Sequence, residues 1–135
     1  MIFVDSNVLI DLIEPDGAWR DWSEQAIVSA AEPLAANAVV LAETARQFRT
    51  VEDQKRFLQT LGIALRPIDE AAAWRAGRAH ADYRAAGGTR EAILADFLIA
   101  GHAAALGATF LTRDRRRVAT YFPELELITP EEDNG

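Results

Sequence analysis

The sequence contains no cysteine, which excludes disulfide bonds and zinc–thiolate sites. Its only lysine among 14 basic residues is Lys55, which weighs against phosphate chemistries that need a lysine at a strand end. It has no long apolar run and no basic N-terminal segment, so we expect a cytoplasmic protein without a signal peptide or membrane span. The net charge of −7 argues against bulk, non-specific nucleic-acid binding but leaves room for a local basic rim.

Short apolar segments alternate with helical segments along the chain. We predict strands at 2–4, 33–36 (an edge strand), 63–68, 108–112 and 125–128. We predict helices at 8–13, 19–31, 38–49, 51–61, 69–86 and 89–106, and a short turn or helix at 115–120. This alternation is typical of a single-domain α/β/α sandwich with a mainly parallel central sheet. We assign residues 1–129 to this domain and residues 130–135 to an acidic C-terminal tail.

One acidic residue interrupts the most apolar helical segment. Asp96 stands in the middle of Ala92–Gly101, which is apolar nearly all round and should be buried on more than one face. A buried carboxylate is costly unless it is paired or binds a metal ion. The sequence therefore predicts that other polar groups meet Asp96 in the folded protein.

Three further carboxylates are placed to share a site with Asp96. Asp5 and Asp114 each follow an apolar strand directly, and ligands of open α/β sheets bind at the carboxyl ends of strands. Glu43 lies in an apolar helix that should pack on the sheet. Four clustered carboxylates would repel one another, and a hard divalent cation would remove that cost. Ligands that are all oxygen indicate Mg²⁺ or Mn²⁺.

Taken alone, three of these residues have ordinary structural interpretations. Asp5 could be only a helix N-cap, Asp114 only a turn residue, and Glu43 only an exposed helical acid. Asp96 is the hardest of the four to explain in this way, because its neighbours on every face are apolar, and the four residues together indicate a site more strongly than any one of them.

Several segments together carry a resemblance to a known family. They are Ile2–Ile10, the mid-chain Glu43, Ala95–Ala100, and Phe110–Asp114 followed by Tyr121-Phe122-Pro123. They resemble the PIN domain family over essentially the whole chain, and the size and motif style resemble VapC-type toxins of toxin–antitoxin modules. The Glu43 match rests on its position between the other motifs.

The resemblance implies a Mg²⁺- or Mn²⁺-dependent endoribonuclease that acts as the toxin of a toxin–antitoxin module. The family's acidic catalytic and metal-binding positions would be Asp5, Glu43, Asp96 and Asp114, and its polar supporting positions would be Asn7 and Thr112. The implied partners are an RNA substrate, a cognate antitoxin and a second copy of the chain in a homodimer. A basic run either contacts RNA phosphates or forms a solvated turn: Arg113, Arg115, Arg116 and Arg117.

Two other families with an aspartate after the first strand fit less well. A haloacid-dehalogenase-like phosphatase needs a second aspartate two residues on, where this chain has Asn7. That phosphatase and the receiver domains of two-component signalling both need a well-placed lysine, and Lys55 lies in a charged helix. The remaining alternative is a non-catalytic PIN-like module that binds RNA or protein without cutting, and the four repelling carboxylates argue against it.

Overall fold

The computed structural model describes residues 1–130. The strands are β1 (Ile2–Val4), β2 (Leu34–Ala36), β3 (Ile63–Leu65), β4 (Thr109–Leu111) and β5 (Leu127–Ile128). The helices are α1 (Ser6–Ile13), α2 (Arg20–Val28), α3 (Ala38–Thr44), α4 (Val51–Leu61), α5 (Glu70–Ala85), α6 (Ile93–Leu106) and α7 (Arg115–Ala119), with a 3-10 turn (Ala45–Gln47) after α3. Of the predicted acidic tail only Pro130 falls within the description, and 131–135 lie outside it.

The five strands form one parallel sheet in the order β3-β2-β1-β4-β5. The sheet is flanked by helices, which confirms the predicted α/β sandwich. All three residues of β1 are buried, as expected for a strand covered on both faces. The chain winds to opposite sides of the sheet after β1 and after β4, so the crevice beyond these two strands is a topological switch point. Such crevices are where open α/β sheets bind ligands.

The prediction that residues 33–36 form an edge strand is wrong. β2 lies between β1 and β3, and each of its residues is buried. Pro33 is compatible with this interior position because it precedes the strand, and its carbonyl accepts a hydrogen bond of 2.8 Å from the Ile2 N–H. The edges of the sheet are β3 and β5.

The helix that contains Asp96 begins at Ile93, later than predicted. Asp96 therefore lies in its first turn, where the helix dipole favours a carboxylate, and not in its middle. The helix is buried on more than one face, as predicted, although in this first turn Asp96 is half-buried and Leu94 is 39% exposed. Later turns are buried against α5, where Gly101 lies against the backbone of Ala76. Nowhere in residues 1–130 is a helix long and apolar enough to cross a membrane.

A buried asparagine joins α3 to α6. Asn37 caps α3, which is shorter than the predicted 38–49. Its Nδ2 donates to the Leu98 carbonyl at 3.3 Å and lies 3.1 Å from His102 Nδ1. Burial lowers the pKa of His102, which favours the neutral ring that can accept this bond. These contacts fix the two helices that contain Glu43 and Asp96.

Candidate active site

Asp5 is the first residue after β1, and both of its carboxylate oxygens accept hydrogen bonds. Oδ1 accepts from the Ser6 N–H at 2.7 Å, so the N-cap interpretation of Asp5 is correct. Oδ2 accepts from Thr112 Oγ1 at 2.7 Å. The second bond comes from the end of β4 and is not needed for capping. It orients the carboxylate across the switch point.

Three of the predicted acids meet in one cavity of about 400 Å³, which we call the acidic cavity. It is lined by Asp5, Ser6, Asn7, Ile10, Glu43, Arg46 and Asp96. Glu43 is half-buried, and its Oε1 accepts a hydrogen bond of 2.6 Å from Ser6 Oγ. The interpretation of Glu43 as an exposed helical acid therefore does not describe this structure.

The charges in the acidic cavity interact. Burial raises the pKa of Asp5 to about 6, against the lowering effect of its hydrogen bonds with Thr112 and Ser6, and the charges of Asp96 and Glu43 raise it further. The ionised form of Asp5 is thus disfavoured by desolvation and by like charge. A carboxyl group whose pKa is displaced toward neutrality in a cavity is typical of functional sites.

The donor set suits a hard cation, but it does not form a closed ligand shell. Among residues 1–130, no three or more histidine, aspartate or glutamate side chains are arranged to hold a metal ion. Mg²⁺ usually keeps several waters and binds only one or two carboxylates directly. The carboxylate and hydroxyl oxygens that line the acidic cavity beside Arg46 therefore fit a hydrated Mg²⁺ or Mn²⁺ in their chemistry, and direct binding by all three acids would require side-chain rotation.

The fourth predicted acid, Asp114, lines a neighbouring cavity of about 270 Å³, which we call the aromatic cavity. Its lining is Tyr83, Arg90, Ile93, Phe97, Asp114, Arg116 and Tyr121. The Asp114 N–H donates to Thr112 Oγ1 at 3.0 Å, and the same hydroxyl donates to Asp5. The structure thus brings three of the four predicted acids into one cavity and places the fourth beside it.

The two predicted supporting residues, Asn7 and Thr112, connect the loops around Asp5. Thr112 is fully buried, and its hydroxyl also lies 3.4 Å from Asn7 Nδ2. Asn7 Oδ1 accepts from the Arg113 N–H at 3.3 Å. Side chains from both segments, Asn7 after β1 and Thr112 after β4, therefore hold the two segments together.

The predicted basic run is divided between different surroundings. Arg113 Nε donates to Asp11 Oδ2 at 2.7 Å, so part of its donor set is committed within the protein. Arg115 lines a separate cavity of about 660 Å³, and Arg116 lines the aromatic cavity. Their contact with RNA stays a prediction.

Two residues were given no role from the sequence, and the structure gives one a structural role beside the site and places the other in the acidic cavity. Asp11 is buried, pairs with Arg113, and accepts from Ser23 Oγ at 2.6 Å. Its signal was available, since Asp11 is an acid within the apolar helix α1, as Asp96 is within α6. Arg46 lines the acidic cavity. It follows Glu43 by three residues, the spacing at which helical side chains are neighbours.

Comparison with known proteins identifies the family. Residues 2–123 match the family model of the PIN domain. No curated protein matches the chain. Similar solved structures include a toxin–antitoxin complex from Klebsiella pneumoniae, with 22% identity, a TM-score of 0.72, and coverage of 98% of this chain and 99% of that one. VapBC2 from Rickettsia felis, bound to a promoter DNA fragment, has 21% identity, a TM-score of 0.68, and coverage of 97% and 100%.

A third similar structure is VapC20 from Mycobacterium tuberculosis, a sarcin–ricin loop cleaving toxin. It has 16% identity, a TM-score of 0.66, and coverage of 93% of this chain and 99% of that one. At these identities the likeness shows a shared fold. The family-model match over nearly the whole chain shows more: this chain belongs to the PIN domain family.

Proposed function

We propose that this chain is a Mg²⁺- or Mn²⁺-dependent endoribonuclease, the toxin component of a toxin–antitoxin module. The observation that carries the proposal is the acidic cavity, in which Asp5, Glu43 and Asp96 lie together at the carboxyl end of the central strand. Burial raises the pKa of Asp5, and the charges of Asp96 and Glu43 raise it further, so the ionised acids repel one another. A divalent cation would relieve that repulsion.

The cation would be held by the predicted acids of the acidic cavity, Asp5, Glu43 and Asp96, and Asp114 would join them if its side chain turned away from the aromatic cavity. When bound, it would supply the Lewis acidity that hydrolysis of an RNA phosphodiester needs. The other residues position these groups: the Thr112 hydroxyl orients Asp5, and the Ser6 hydroxyl orients Glu43. Arg46, at the same cavity, would bind the substrate phosphate through its planar guanidinium.

The partner proposal draws on the similar structures. Those from Klebsiella pneumoniae, Rickettsia felis and Salmonella typhimurium are toxin–antitoxin complexes or VapBC assemblies. By analogy, we propose that a cognate antitoxin binds this chain, that the chain forms a homodimer, and that it acts on RNA in the cytoplasm.

Cleavage of labelled RNA by the purified protein tests the enzymatic proposal. We expect cleavage in Mg²⁺ or Mn²⁺ and none in EDTA. Asp5→Asn and Asp96→Asn should each reduce the rate by about 100-fold or more, at least the upper end of the loss seen for residues that only support metal ligands. The exposed Asp82 on α5 offers a matched control, since Asp82→Asn makes the same chemical change outside the cavity.

Two results would contradict the enzymatic proposal. One is cleavage that continues in EDTA, and the other is cleavage by the Asp96→Asn protein at the wild-type rate. The toxin role has its own test. Growth should arrest when the chain is expressed and recover when the product of a neighbouring small gene is co-expressed. Cleavage without arrest would indicate a housekeeping nuclease.

A non-catalytic PIN-like module that binds RNA or protein is the second candidate. It is favoured by one observation, that no three acidic or histidine side chains in the described part of the chain are arranged to hold a metal ion. A Mn²⁺ titration by calorimetry separates the candidates. The nuclease proposal expects saturable binding that Asp5→Asn weakens, whereas the non-catalytic module expects RNA or protein binding without a metal requirement.

A further inference from the structure

We propose that the aromatic cavity binds one nucleobase of the RNA strand, adjacent to the phosphodiester that is cut. This inference rests on the proposed nuclease function and adds to it a subsite that reads the substrate. The cavity combines aromatic rings and two arginines, and Asp114 lines it on the way to the other acids. Each of these features has a separate basis in the structure.

The rings provide a stacking surface. Tyr83 and Tyr121 are half-buried, and their ring centroids lie 5.8 Å apart in an edge-to-face arrangement. Phe97 is buried behind them, at 5.9 Å from Tyr83 and 5.5 Å from Tyr121. Proteins that bind single-stranded RNA commonly stack unpaired bases on aromatic rings of this kind.

Two cations border the rings. Arg90 and Arg116 line the cavity and are exposed, on a chain whose net charge is −7. Guanidinium groups bind phosphates through paired donors and can also stack on bases. This pairing of aromatic and basic side chains is complementary to a nucleotide, which has a flat apolar base and an anionic phosphate.

The cavity is preorganised by the loop between α5 and α6. The Arg90 N–H donates to Tyr83 Oη at 2.9 Å. Gly88 packs so closely on Tyr83 that a Cβ atom there would lie 2.3 Å from its ring. The loop thus fixes the Tyr83 ring before any ligand arrives, which reduces the entropic cost of binding.

The size and the connections of the cavity indicate a single base. Its volume of about 270 Å³ is just below the range of roughly 300–1,000 Å³ for drug-sized ligands. Residues from two consecutive turns of α6 line the two cavities. Ile93 and Phe97 line the aromatic cavity, and Asp96 lines the acidic cavity. Hydrogen bonds from Asp114 to Thr112 and from Thr112 to Asp5 connect them again. A nucleotide bound here would present its phosphate toward the acids.

The first test uses RNA oligonucleotides with an abasic residue at each position around the cleavage site. For the wild-type protein, we expect kcat/KM to fall about 5- to 150-fold when the abasic residue occupies one flanking position, the loss typical of one stacked base. In Tyr121→Leu, the same abasic substitution should cost nothing further. Tyr121→Phe keeps the ring and should retain the wild-type sensitivity. Equal abasic losses in Tyr121→Leu and in the wild type would overturn the subsite.

The second test measures RNA binding in EDTA by fluorescence anisotropy, so that binding is separated from cleavage. Arg90→Gln and Arg116→Gln should each weaken binding and lower the slope of log affinity against log salt by about 0.7, the value for one lost contact to single-stranded phosphate. Arg90→Gln keeps the backbone bond to Tyr83. Arg84→Gln, at an exposed position of α5 outside the cavity, is the matched control.

The outcomes distinguish the subsite from the nuclease proposal. Unchanged affinity and salt dependence in both arginine variants would overturn the subsite and leave the nuclease standing if the wild-type protein cuts RNA. Asp5→Asn should bind RNA with the wild-type dependence on Arg90 and Arg116 while it cuts none. A wild-type protein that neither binds nor cuts RNA would overturn both proposals.

Discussion

Replacing Asp5 with asparagine should stabilise the metal-free protein at neutral pH while it removes the proposed activity. Burial raises the pKa of Asp5 from its ordinary 3.8 to about 6. A carboxyl group whose pKa is higher in the folded state contributes stability below pH 3.8, and this contribution disappears as the pH rises through about 6. At about 1.4 kcal/mol per pKa unit, ionised Asp5 costs the folded state roughly 3 kcal/mol at pH 8.

Asparagine has no charge and is an equally good N-cap, so its amide oxygen can still accept the Ser6 N–H. Urea unfolding in EDTA should therefore show Asp5→Asn to be up to about 3 kcal/mol more stable than the wild type at pH 8 and close to it at pH 4. This is a large part of the 5–15 kcal/mol typical of a domain. Asp82→Asn should show no such pH-dependent gain.

Added Mg²⁺ should narrow the stability difference at pH 8, and it reverses the order only where binding adds more than about 3 kcal/mol to the wild type relative to the variant. Binding stabilises a protein by RT ln(1 + [L]/Kd), and the wild type should gain more than the variant because it keeps the ligand. The contrary result is that Asp5→Asn is less stable than the wild type in EDTA, and by the same amount at pH 4 and pH 8. Ionisation of Asp5 would then cost the folded protein no free energy. The electrostatic argument for a cation would then be refuted.

Two further changes test the packing around the site. Thr112→Val keeps the side-chain shape but removes the hydroxyl that donates to Asp5 at 2.7 Å. An NMR titration should then show a further rise in the pKa of Asp5. Calorimetry should show Mn²⁺ affinity about 10- to 100-fold lower than in the wild type. Gly101→Ala would place a Cβ atom 2.9 Å from the backbone nitrogen of Ala76 and should destabilise the protein by about 1–3 kcal/mol in urea unfolding. Gly77→Ala, whose Cβ atom meets nothing within 4 Å, should instead stabilise it by about 0.5–1 kcal/mol; equal effects of the two alanines would contradict close packing of α5 on α6.

The elements of the fold were predictable because local chemistry determines them. The buried strand β1 is a run of β-branched and aromatic side chains, and Asn37 and Asp69 cap helices as their side chains favour. The position of β2 in the sheet was not predictable in this way. Its three residues look the same whether they lie at an edge or inside, since strand order depends on how the crossovers pack and not on the strand itself.

The position of a site residue could be predicted from the sequence where the residue directly follows a strand, and less well where a loop separates the two. Asp5 follows β1 without an intervening turn, so the strand direction alone carries it to the switch point. Asp114 is separated from β4 by Thr112 and Arg113, and the hydrogen bonds of that short segment decide which cavity it faces. The sequence shows that an acid is present there, but the segment's conformation sets its direction.

The two acids inside apolar helices show why composition alone could not separate a structural role from a candidate ligand. Asp11 and Asp96 have similar sequence surroundings, and the same argument about costly burial applies to both. The structure gives Asp11 the guanidinium of Arg113 at 2.7 Å, so its charge is neutralised within the protein. Asp96 lines the acidic cavity with Asp5, Glu43 and Arg46, where burial raises the pKa of Asp5 and the charges of Asp96 and Glu43 raise it further. The surroundings therefore separate the two acids: Asp11 lies in a buried ion pair, whereas Asp96 shares a cavity with two other acids, and only the second arrangement offers several carboxylates to a divalent cation.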